Sequence, residues 1–342
     1  MSDGSANNQL SNRGASEPLV TVILTAFKRT AYLEGAICSV LAQTLKSLEL
    51  IVADDANSRA ARDICAQFAK DGRLRYRANP QTLGAPLNIA AALREARGIY
   101  VAILNDDDLM ESQMLDRLVP PLEQFPNVVL AFGNHTVIDR GGHHLASESR
   151  NFMRARGRDG LKPGVLREPF EFAVRRGLMV VMGSVFRSSA CDPDWLVPEV
   201  SGAYDYWLAV RIAAQGLFYF DPANVMSWRY HEDSVSIRPS PDKFRAEVFV
   251  YNWLNELPLA PQLRQYVREQ LAYFLYLRGY EFFRHGSDRR EARAVLWRSL
   301  KLRPSARLFG AWGLTFMPTS FRCIAIRAWQ RTQWLRGNEE VR

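Results

Sequence analysis

Residues 19–55 read LVTVILTAFKRTAYLEGAICSVLAQTLKSLELIVADD, and this stretch decides the fold. The apolar runs 19–24 and 48–53 have the length of buried strands. The segment between them places apolar residues at the i, i+3, i+4, i+7 spacing of a helix with one buried face. The same alternation continues through the runs 74–77 and 100–104. The pattern predicts an α/β fold, with a parallel sheet covered by helices on both faces.

Polar residues follow the buried run of three of these strands. Thr25 to Phe27 follow the first, Asp54 and Asp55 end the second, and Asn105 to Asp108 follow the fourth. Because ligands of open parallel sheets bind at the carboxyl ends of the strands, these residues predict a site at one sheet edge. Three adjacent carboxylates repel one another unless water or a cation neutralises them. Oxygen ligands favour Mg²⁺ or Mn²⁺, and the alternative is a solvated acidic turn without a cation.

Further elements follow along the chain. An apolar run at residues 128–137 predicts another strand, followed by a turn at residues 139–142. Residues 150–164 are polar and rich in Arg, which predicts a mobile loop. Residues 203–215 have the periodicity of a helix, and residues 221–230 are expected to form a loop and a strand.

The C-terminal part of the chain reads as helical and basic. Residues 273–284 and 289–300 predict a pair of helices. Residues 261–342 hold 16 Lys or Arg against 6 Asp or Glu, whereas the rest of the chain holds 28 against 30. The stretch 308–321 has no charged residue, and Arg and Trp alternate beyond it. Two readings stay open: this region lies on an anionic membrane surface, or it packs on the domain that precedes it.

Composition limits the class of protein. The chain has 342 residues, of which 47% are hydrophobic and 23% charged, close to the average of soluble globular proteins. No apolar run is long enough to cross a bilayer, and the first residues have no apolar signal-peptide core. The expected organisation is a disordered tail at 1–17, an α/β domain at 18–240 and a helical region at 241–342. The near-neutral body argues against a nucleic-acid partner, and four cysteines without metal-site spacing predict reduced, packed thiols of a cytoplasmic protein.

Four motifs in order resemble a known family. The segments VTVILTAFKRTAYLEGAICSVLAQTLKSLELIVADDANS and NPQTLGAPLNIAAALREARGIYVAILNDDDLM resemble the nucleotide-sugar half of family 2 glycosyltransferases with the GT-A fold. The strings beginning at Asp205 (DYW) and Trp228 (WRYHEDSVS) match later motifs of that family, so the resemblance covers residues 18–240. It implies an α/β fold with a GT-A-like mixed, mainly parallel sheet flanked by helices, to which the C-terminal helical region is an appendage. It also implies an inverting, non-processive enzyme that moves a sugar from a nucleotide-diphosphate sugar, UDP or dTDP favoured, to a saccharide or lipid-linked acceptor. Cell-surface polysaccharide or glycolipid synthesis at the inner membrane face is the implied setting.

The resemblance assigns the nucleoside side of the site. Thr25 and Phe27 match residues that enclose the base, with the ring of Phe27 as a stacking face. Asp55 matches the carboxylate that accepts a hydrogen bond from the imide of uracil or thymine. The alternative for Asp54 and Asp55 is capping of the helix that follows. Asn88 lies in the helix whose counterpart in the family faces the diphosphate, but it is expected to be an exposed helix residue.

The acidic run occupies the family's Asp-x-Asp position. The resemblance implies that Asp107 is a ligand of Mn²⁺ or Mg²⁺, that Asp106 faces the ribose or phosphate, and that Asp108 is an additional or alternative metal ligand. Asn105 stands where many members have Asp, so the division of roles among the three carboxylates stays open. His231 matches a histidine that closes on the metal or the diphosphate.

Asp205 matches the general base of the inverting enzymes. Its carboxylate would take the proton of the acceptor hydroxyl as that oxygen attacks C1 of the donor sugar. Two other functions are considered. A degenerate, non-catalytic nucleotide-sugar-binding module is suggested by the altered Asn105. A sugar-phosphate nucleotidyltransferase is disfavoured because residues 25–30 contain no glycine for a phosphate loop.

Overall fold

The computed structural model describes residues 17–176, 180–181, 183–231, 241–285 and 288–316. These residues form two compact units, one ending at residue 231 and the other beginning at residue 241. All but the last residue of the expected N-terminal tail lies outside the described ranges. In the described part of the chain, no helix is long and apolar enough to cross a bilayer.

The first unit is built on one mixed sheet. In spatial order its strands are β3-β2-β1-β4-β8-β6-β9-β5, and β7 pairs with β9. Strands β1 to β4, β6 and β9 run in one direction, and β5, β7 and β8 run against them. The mixed, mainly parallel sheet is therefore confirmed. The strands are β1 (Val20–Ala26), β2 (Leu48–Asp54), β3 (Leu74–Ala78), β4 (Tyr100–Asn105), β5 (Leu109–Met110), β6 (Val128–Ile138), β7 (Gly164–Leu166), β8 (Ser184–Arg187) and β9 (Leu217–Arg229).

Helices cover the sheet of the first unit. Nearly every residue of β1, and all of β2, is buried, which explains why these strands read as continuous apolar runs. Helix α1 buries the face that the 3.6-residue periodicity predicted. The helices are α1 (Leu33–Leu41), α2 (Arg59–Gln67), α3 (Ala85–Glu95), α4 (Met114–Gln124), α5 (Ala146–Ala155), α6 (Pro169–Arg176) and α7 (Tyr204–Ala213).

Two sequence predictions in this unit were wrong. The loop expected at residues 150–164 begins inside helix α5, which buries Ser149 and Met153, and the side chain of Arg158 beyond it is also buried. Met153 is the one apolar residue of the two that α5 buries, which is too few for a visible helical period. The loop expected at residue 221 lies inside strand β9, because a shift in the β6–β9 register accommodates Pro222.

The second unit is helical, as predicted. Its helices are α8 (Pro241–Glu256), α9 (Pro261–His285), α10 (Arg289–Leu302) and α11 (Ala306–Leu314). Helix α9 begins twelve residues before the predicted start at Tyr273. Tyr276, Leu296 and Leu308 form a buried cluster that joins α9, α10 and α11. The Arg- and Trp-rich segment expected to be interfacial begins beyond residue 316 and lies outside the described residues.

The cysteines only partly match the expectation of packed thiols. Cys65 and Cys191 are buried, and burial raises the pKa of Cys65 to about 11 and that of Cys191 to about 12. Cys38 is exposed, because it lies on the solvent side of helix α1, so the prediction was wrong for this residue. Cys323 lies outside the described ranges.

Candidate active site

The carboxyl ends of β1, β2 and β4 lie side by side at one sheet edge. Thr25 pairs in register with Asn105, and Ala26 pairs with Asp54. The hydroxyl of Thr25 donates to Asn105 Oδ1 at 3.3 Å. The predicted convergence of polar residues at this edge is therefore what the fold produces.

Arg29 lies against the acidic run and was not foreseen as a site residue. Its Nη2 donates to Asp107 Oδ2 at 2.9 Å and to Asp106 Oδ1 at 3.3 Å. His231 Nε2 lies 2.9 Å from the same Asp107 oxygen and 3.2 Å from Arg29 Nη1. Asp107 is thus the point where two cationic or metal-binding side chains from distant parts of the chain meet.

A tight turn after β1 places Arg29 there. Arg29 N donates to Phe27 O at 2.6 Å, and Lys28 between them has a φ of 60°, in the left-handed region that non-glycine residues rarely adopt. Phe27 N lies 3.5 Å from Asp106 Oδ2 as a long donor contact. The Phe27 ring is 43% exposed, with Lys28 Nζ 4.9 Å from its centroid. One turn therefore presents both an open aromatic face and the Arg29 guanidinium.

Asp108 faces a different set of partners from Asp107. Its Oδ1 accepts from Arg229 N at 2.9 Å, and its Oδ2 accepts from Asn105 Nδ2 at 3.3 Å. Asn105 Oδ1 in turn accepts from the hydroxyls of Thr25 and Tyr204, each at 3.3 Å. The amide of Asn105 therefore acts as donor and acceptor at once, which a carboxylate could not do.

Arg229, at the end of β9, holds the acidic run and His231 in place, and sequence analysis did not identify it. Its Nε donates to Asp107 O at 2.8 Å, so it fixes the backbone of the metal-ligand candidate. Its guanidinium lies 4.5 Å from the ring centroid of Tyr32, whose ring centroid is 5.8 Å from that of His231. These contacts pack the ends of β4 and β9 and helix α1 around one carboxylate.

Burial raises the free-energy cost of keeping all the carboxylates of this cluster ionised. Burial and the charge of Asp107 raise the pKa of Asp106 to about 7, against the opposing effect of Arg29. Burial and Asp107 also raise the pKa of Asp108 well above its ordinary value. A further cation at Asp107 would relieve this repulsion.

The residues present fit a divalent cation whose remaining ligands would come from a substrate. Within the ranges that the structure covers, no three His, Cys, Asp or Glu side chains form a closed cage. Asp107 Oδ2 and His231 Nε2 do converge, at 2.9 Å. Mg²⁺ and similar ions are commonly held by one or two protein ligands together with substrate phosphates and water. Asp107 and His231 are therefore the residues that could hold such an ion.

Asp55 organises the loop before α3. Its Oδ1 accepts from Asn79 Nδ2 at 2.7 Å and Leu83 N at 2.8 Å, and its Oδ2 accepts from Gly84 N at 2.8 Å. Gly84 has a φ of 86°, which only glycine adopts without strain and which turns these amides inward. Since a carboxylate has about four acceptor positions, one remains on Oδ2.

Asp54 has a local structural role, but neither it nor Asp55 is the N-cap of the helix that follows. Asp54 accepts from Ala56 N and Ser58 N, and Ser58, rather than either aspartate, is the N-cap of α2. Asn88, expected to be exposed, is buried and donates to Ala53 O at 2.8 Å. It lies on the inner face of α3, so that prediction was wrong.

Asp205 lies in the first turn of α7, beside the acidic run. It is half-buried, and its Oδ1 accepts from Tyr206 N at 2.8 Å. The preceding hydroxyl, that of Tyr204, reaches Asn105 Oδ1 at 3.3 Å and thereby joins this turn to the end of β4. Burial raises the pKa of Asp205, and the positive charge of Arg156 opposes the shift.

A row of aromatic rings extends away from the cluster. The ring centroids of Phe152 and Trp228 are 5.4 Å apart, and those of Trp228 and Tyr230 are 6.0 Å apart. Tyr230 is 48% exposed, and Arg156 lies 5.0 Å from the Phe152 centroid. His135 packs edge-on against Phe152 at 4.5 Å, and neither of its ring nitrogens has a hydrogen-bond partner among the described residues. A sugar could stack on such a row.

This sheet, with an acidic run at the carboxyl edge and a carboxylate on a facing helix, is the GT-A arrangement of glycosyltransferases. Solved structures agree on the fold: Staphylococcus aureus TarS residues 1–349 superpose with a TM-score of 0.58 at 14% identity over 86% of this chain and 82% of that one. The mannosyltransferase PcManGT from Pyrobaculum calidifontis, solved with GDP-Man and Mn²⁺, gives 0.55 at 17% identity over 93% and 85%. The sequence model of Glycosyl transferase family 2 matches residues 21–180, and these residues are a domain of that family.

Curated relatives are also glycosyltransferases. A Campylobacter jejuni GalNAc(5)-diNAcBac-PP-undecaprenol beta-1,3-glucosyltransferase is 28% identical over 255 residues, which are 73% of this chain and 76% of that protein. An uncharacterized glycosyltransferase of Methanocaldococcus jannaschii is 31% identical over 132 residues, 38% of this chain and 46% of that protein. The matched segment thus spans less than half of the second relative's length.

Proposed function

We propose that this protein is an inverting, metal-dependent glycosyltransferase. It moves a sugar from a nucleotide-diphosphate sugar to a saccharide or lipid-linked acceptor, in cell-surface polysaccharide or glycolipid synthesis. The observation that carries the proposal is the contact of Tyr204 with Asn105, which joins the helical turn that contains Asp205 to the end of β4. On this basis we assign the candidate base and the candidate diphosphate site to one reaction centre.

The donor is held at the sheet edge. The nucleobase of the donor stacks on the exposed ring of Phe27 beside Thr25. The last acceptor position of Asp55 accepts a hydrogen bond from the imide N–H of uracil or thymine. Asp106 faces the ribose. Asp107 and His231 would hold Mn²⁺ or Mg²⁺, and the ion would supply positive charge to neutralise the charge that develops on the leaving nucleoside diphosphate. Asp108, the other expected metal ligand, is assigned to fixing β9 because both its oxygens accept from the chain itself.

Asp205 acts on the acceptor. Its carboxylate takes the proton of the acceptor hydroxyl, whose oxygen forms a bond to C1 of the donor sugar. The bond from C1 to the phosphate oxygen breaks, and its electron pair leaves with the nucleoside diphosphate. One in-line displacement inverts the configuration at C1. The raised pKa of Asp205 suits a base that works near neutral pH.

The acceptor lies along the row formed by Phe152, Trp228 and Tyr230. The exposed ring of Tyr230 suits the apolar face of a sugar ring, with the half-buried rings of Trp228 and Phe152 beyond it, and Arg156 suits an anionic or hydroxyl-rich acceptor. We place the reaction at the cytoplasmic face of the membrane, beside a lipid-linked acceptor.

A donor-hydrolysis assay tests the activity. The protein is incubated with UDP- and dTDP-sugars and Mn²⁺, and release of the nucleoside diphosphate is followed with and without EDTA. We expect slow, metal-dependent release without an acceptor, because water replaces the acceptor hydroxyl. Binding of the nucleotide with no turnover on any sugar would favour the non-catalytic module instead.

The base pocket predicts a ranking of nucleotides. By calorimetry with Mn²⁺, we expect UDP or dTDP to bind with micromolar affinity and GDP at least about tenfold more weakly, because the larger purine places its ring N–H farther from the ribose than the imide N–H of a pyrimidine and so out of reach of a matched Asp55 acceptor. GDP as the tightest ligand would contradict the role of Asp55. UMP serves as the control that isolates the contribution of the β-phosphate and the metal.

Arg156 predicts a change in the pH profile. Its charge holds down the raised pKa of Asp205, so in Arg156→Gln that pKa rises further. Because the base must be ionised, the acid limb of kcat should move to higher pH, by about one unit. Arg150→Gln, an exposed cation on the same helix, is the control. An unshifted acid limb in Arg156→Gln would contradict this coupling.

A further inference from the structure

The second unit exposes a cluster of aromatic rings. Trp312 lies at its centre, with ring centroids 5.3 Å from Trp297, 5.9 Å from Phe309 and 4.9 Å from Phe316. Trp297 is 42%, Phe309 60% and Phe316 55% exposed. We call these four residues the aromatic patch. Large apolar side chains rarely gather on a soluble surface without a partner.

Cations surround the aromatic patch. Arg293 lies 4.9 Å from the Phe316 centroid, and Lys301 Nζ lies 5.5 Å from that of Trp297. Residues 288–316 contain seven Lys or Arg and two Asp or Glu. Both acids are engaged, since Asp288 caps α10 and Glu291 accepts from Arg278 at 2.6 Å. The patch and its rim therefore present a positive, aromatic surface.

The charge identifies the occupant. A second copy of the chain would bring the same cations against this rim, which is unfavourable in an isologous contact. The remaining C-terminal segment, residues 317–342, is itself basic, with five Arg and two Glu. Trp and Phe beside Lys and Arg are the composition that binds the headgroup region of anionic membranes.

We infer that the aromatic patch docks the protein on an anionic lipid surface. The rings enter the headgroup region, and Arg293 and Lys301 face lipid phosphates. This rests on the proposed function only in its purpose, which is to hold the enzyme beside a lipid-linked acceptor. The docking itself requires neither donor nor turnover.

Vesicle flotation of the full chain tests this docking. We expect binding to phosphatidylcholine vesicles with about one third phosphatidylglycerol, weak binding to phosphatidylcholine alone, and loss of binding as salt rises. Phe309→Ser with Phe316→Ser should reduce partition at least about tenfold, because two apolar side chains no longer leave water. Lys301→Glu should reduce it by roughly thirtyfold on anionic vesicles alone.

Matched controls separate docking from folding and from catalysis. Val165→Ser removes an exposed apolar residue from the first unit, and Arg59→Glu reverses an exposed cation there, so both should float like the parent. Unchanged flotation of the patch variants would overturn the inference. Failure of the parent protein to bind anionic vesicles would also overturn it. So would a dimer, detected by light scattering without lipid, whose formation requires Phe309. Donor hydrolysis, measured in parallel, shows whether the proposed activity fails separately.

Discussion

Asp205→Asn should lose sugar transfer by at least about a thousandfold while donor affinity stays unchanged. The amide keeps the size and the acceptor oxygen that Tyr206 N binds, but it cannot take a proton from the acceptor hydroxyl. Because the base acts only in the chemical step, the loss should appear in kcat and not in the binding of UDP. Single-turnover transfer and calorimetry measure the two quantities separately.

The control for this variant is Asp194→Asn, an exposed aspartate of the same unit whose side chain pairs with Arg94. It should keep full activity. Weaker donor binding with unchanged turnover in Asp205→Asn would contradict the base and indicate a donor contact instead. An equal loss in the control would indicate a general effect of charge on the domain.

The position of the candidate site could be predicted from sequence because local signals determine it. Buried parallel strands are apolar along their whole length, so the run before Asn105 fixes where β4 ends. The three aspartates then follow at the sheet edge by register alone. The helix that begins with Tyr204 was also predicted, although its buried residues are nearly continuous from Trp207 to Ala213 and do not mark a single face.

The contacts that arrange those carboxylates could not be predicted in the same way. Arg29 reaches Asp107 only because Lys28 adopts a left-handed conformation, and this is unusual for lysine. Arg229 and His231 approach the acidic run from more than a hundred residues away, through a strand whose register contains a shift. No periodicity encodes such a contact.

Asn105 illustrates how a departure from a family pattern can mislead. Taken from sequence, it suggested a degenerate site. In the structure its Oδ1 accepts from Thr25 and Tyr204 while its Nδ2 donates to Asp108. An aspartate there would lose the donor and add a fourth negative charge to a buried cluster. The hydrogen bond from Asn105 opposes the rise in the pKa of Asp108, and this structural role weakens the reason for proposing a non-catalytic module.

Asp107→Asn should abolish the metal-dependent part of UDP binding, a loss of at least about a hundredfold in affinity with Mn²⁺. Asp107 is the carboxylate on which His231 and Arg29 converge, so its charge is the centre of the proposed metal site. The variant removes a charge that raises the pKa of Asp106 and Asp108, which relieves repulsion inside the cluster. We therefore expect a folded protein whose thermal midpoint is not lowered.

Metal removal and the substitution should act on the same interaction. EDTA should weaken UDP binding to the parent by the same factor as Asp107→Asn and should have no further effect on the variant, because the two changes are not additive when they remove one contact. Asp63→Asn, an exposed aspartate on α2, should keep the parent's full response to EDTA. If EDTA still weakens UDP binding to Asp107→Asn, the metal does not bind at Asp107, and His231 would lack its proposed partner in holding the ion. If the losses of UDP affinity caused by EDTA and by the substitution add together, Asp107 acts on the diphosphate through its charge and the ion binds at another site.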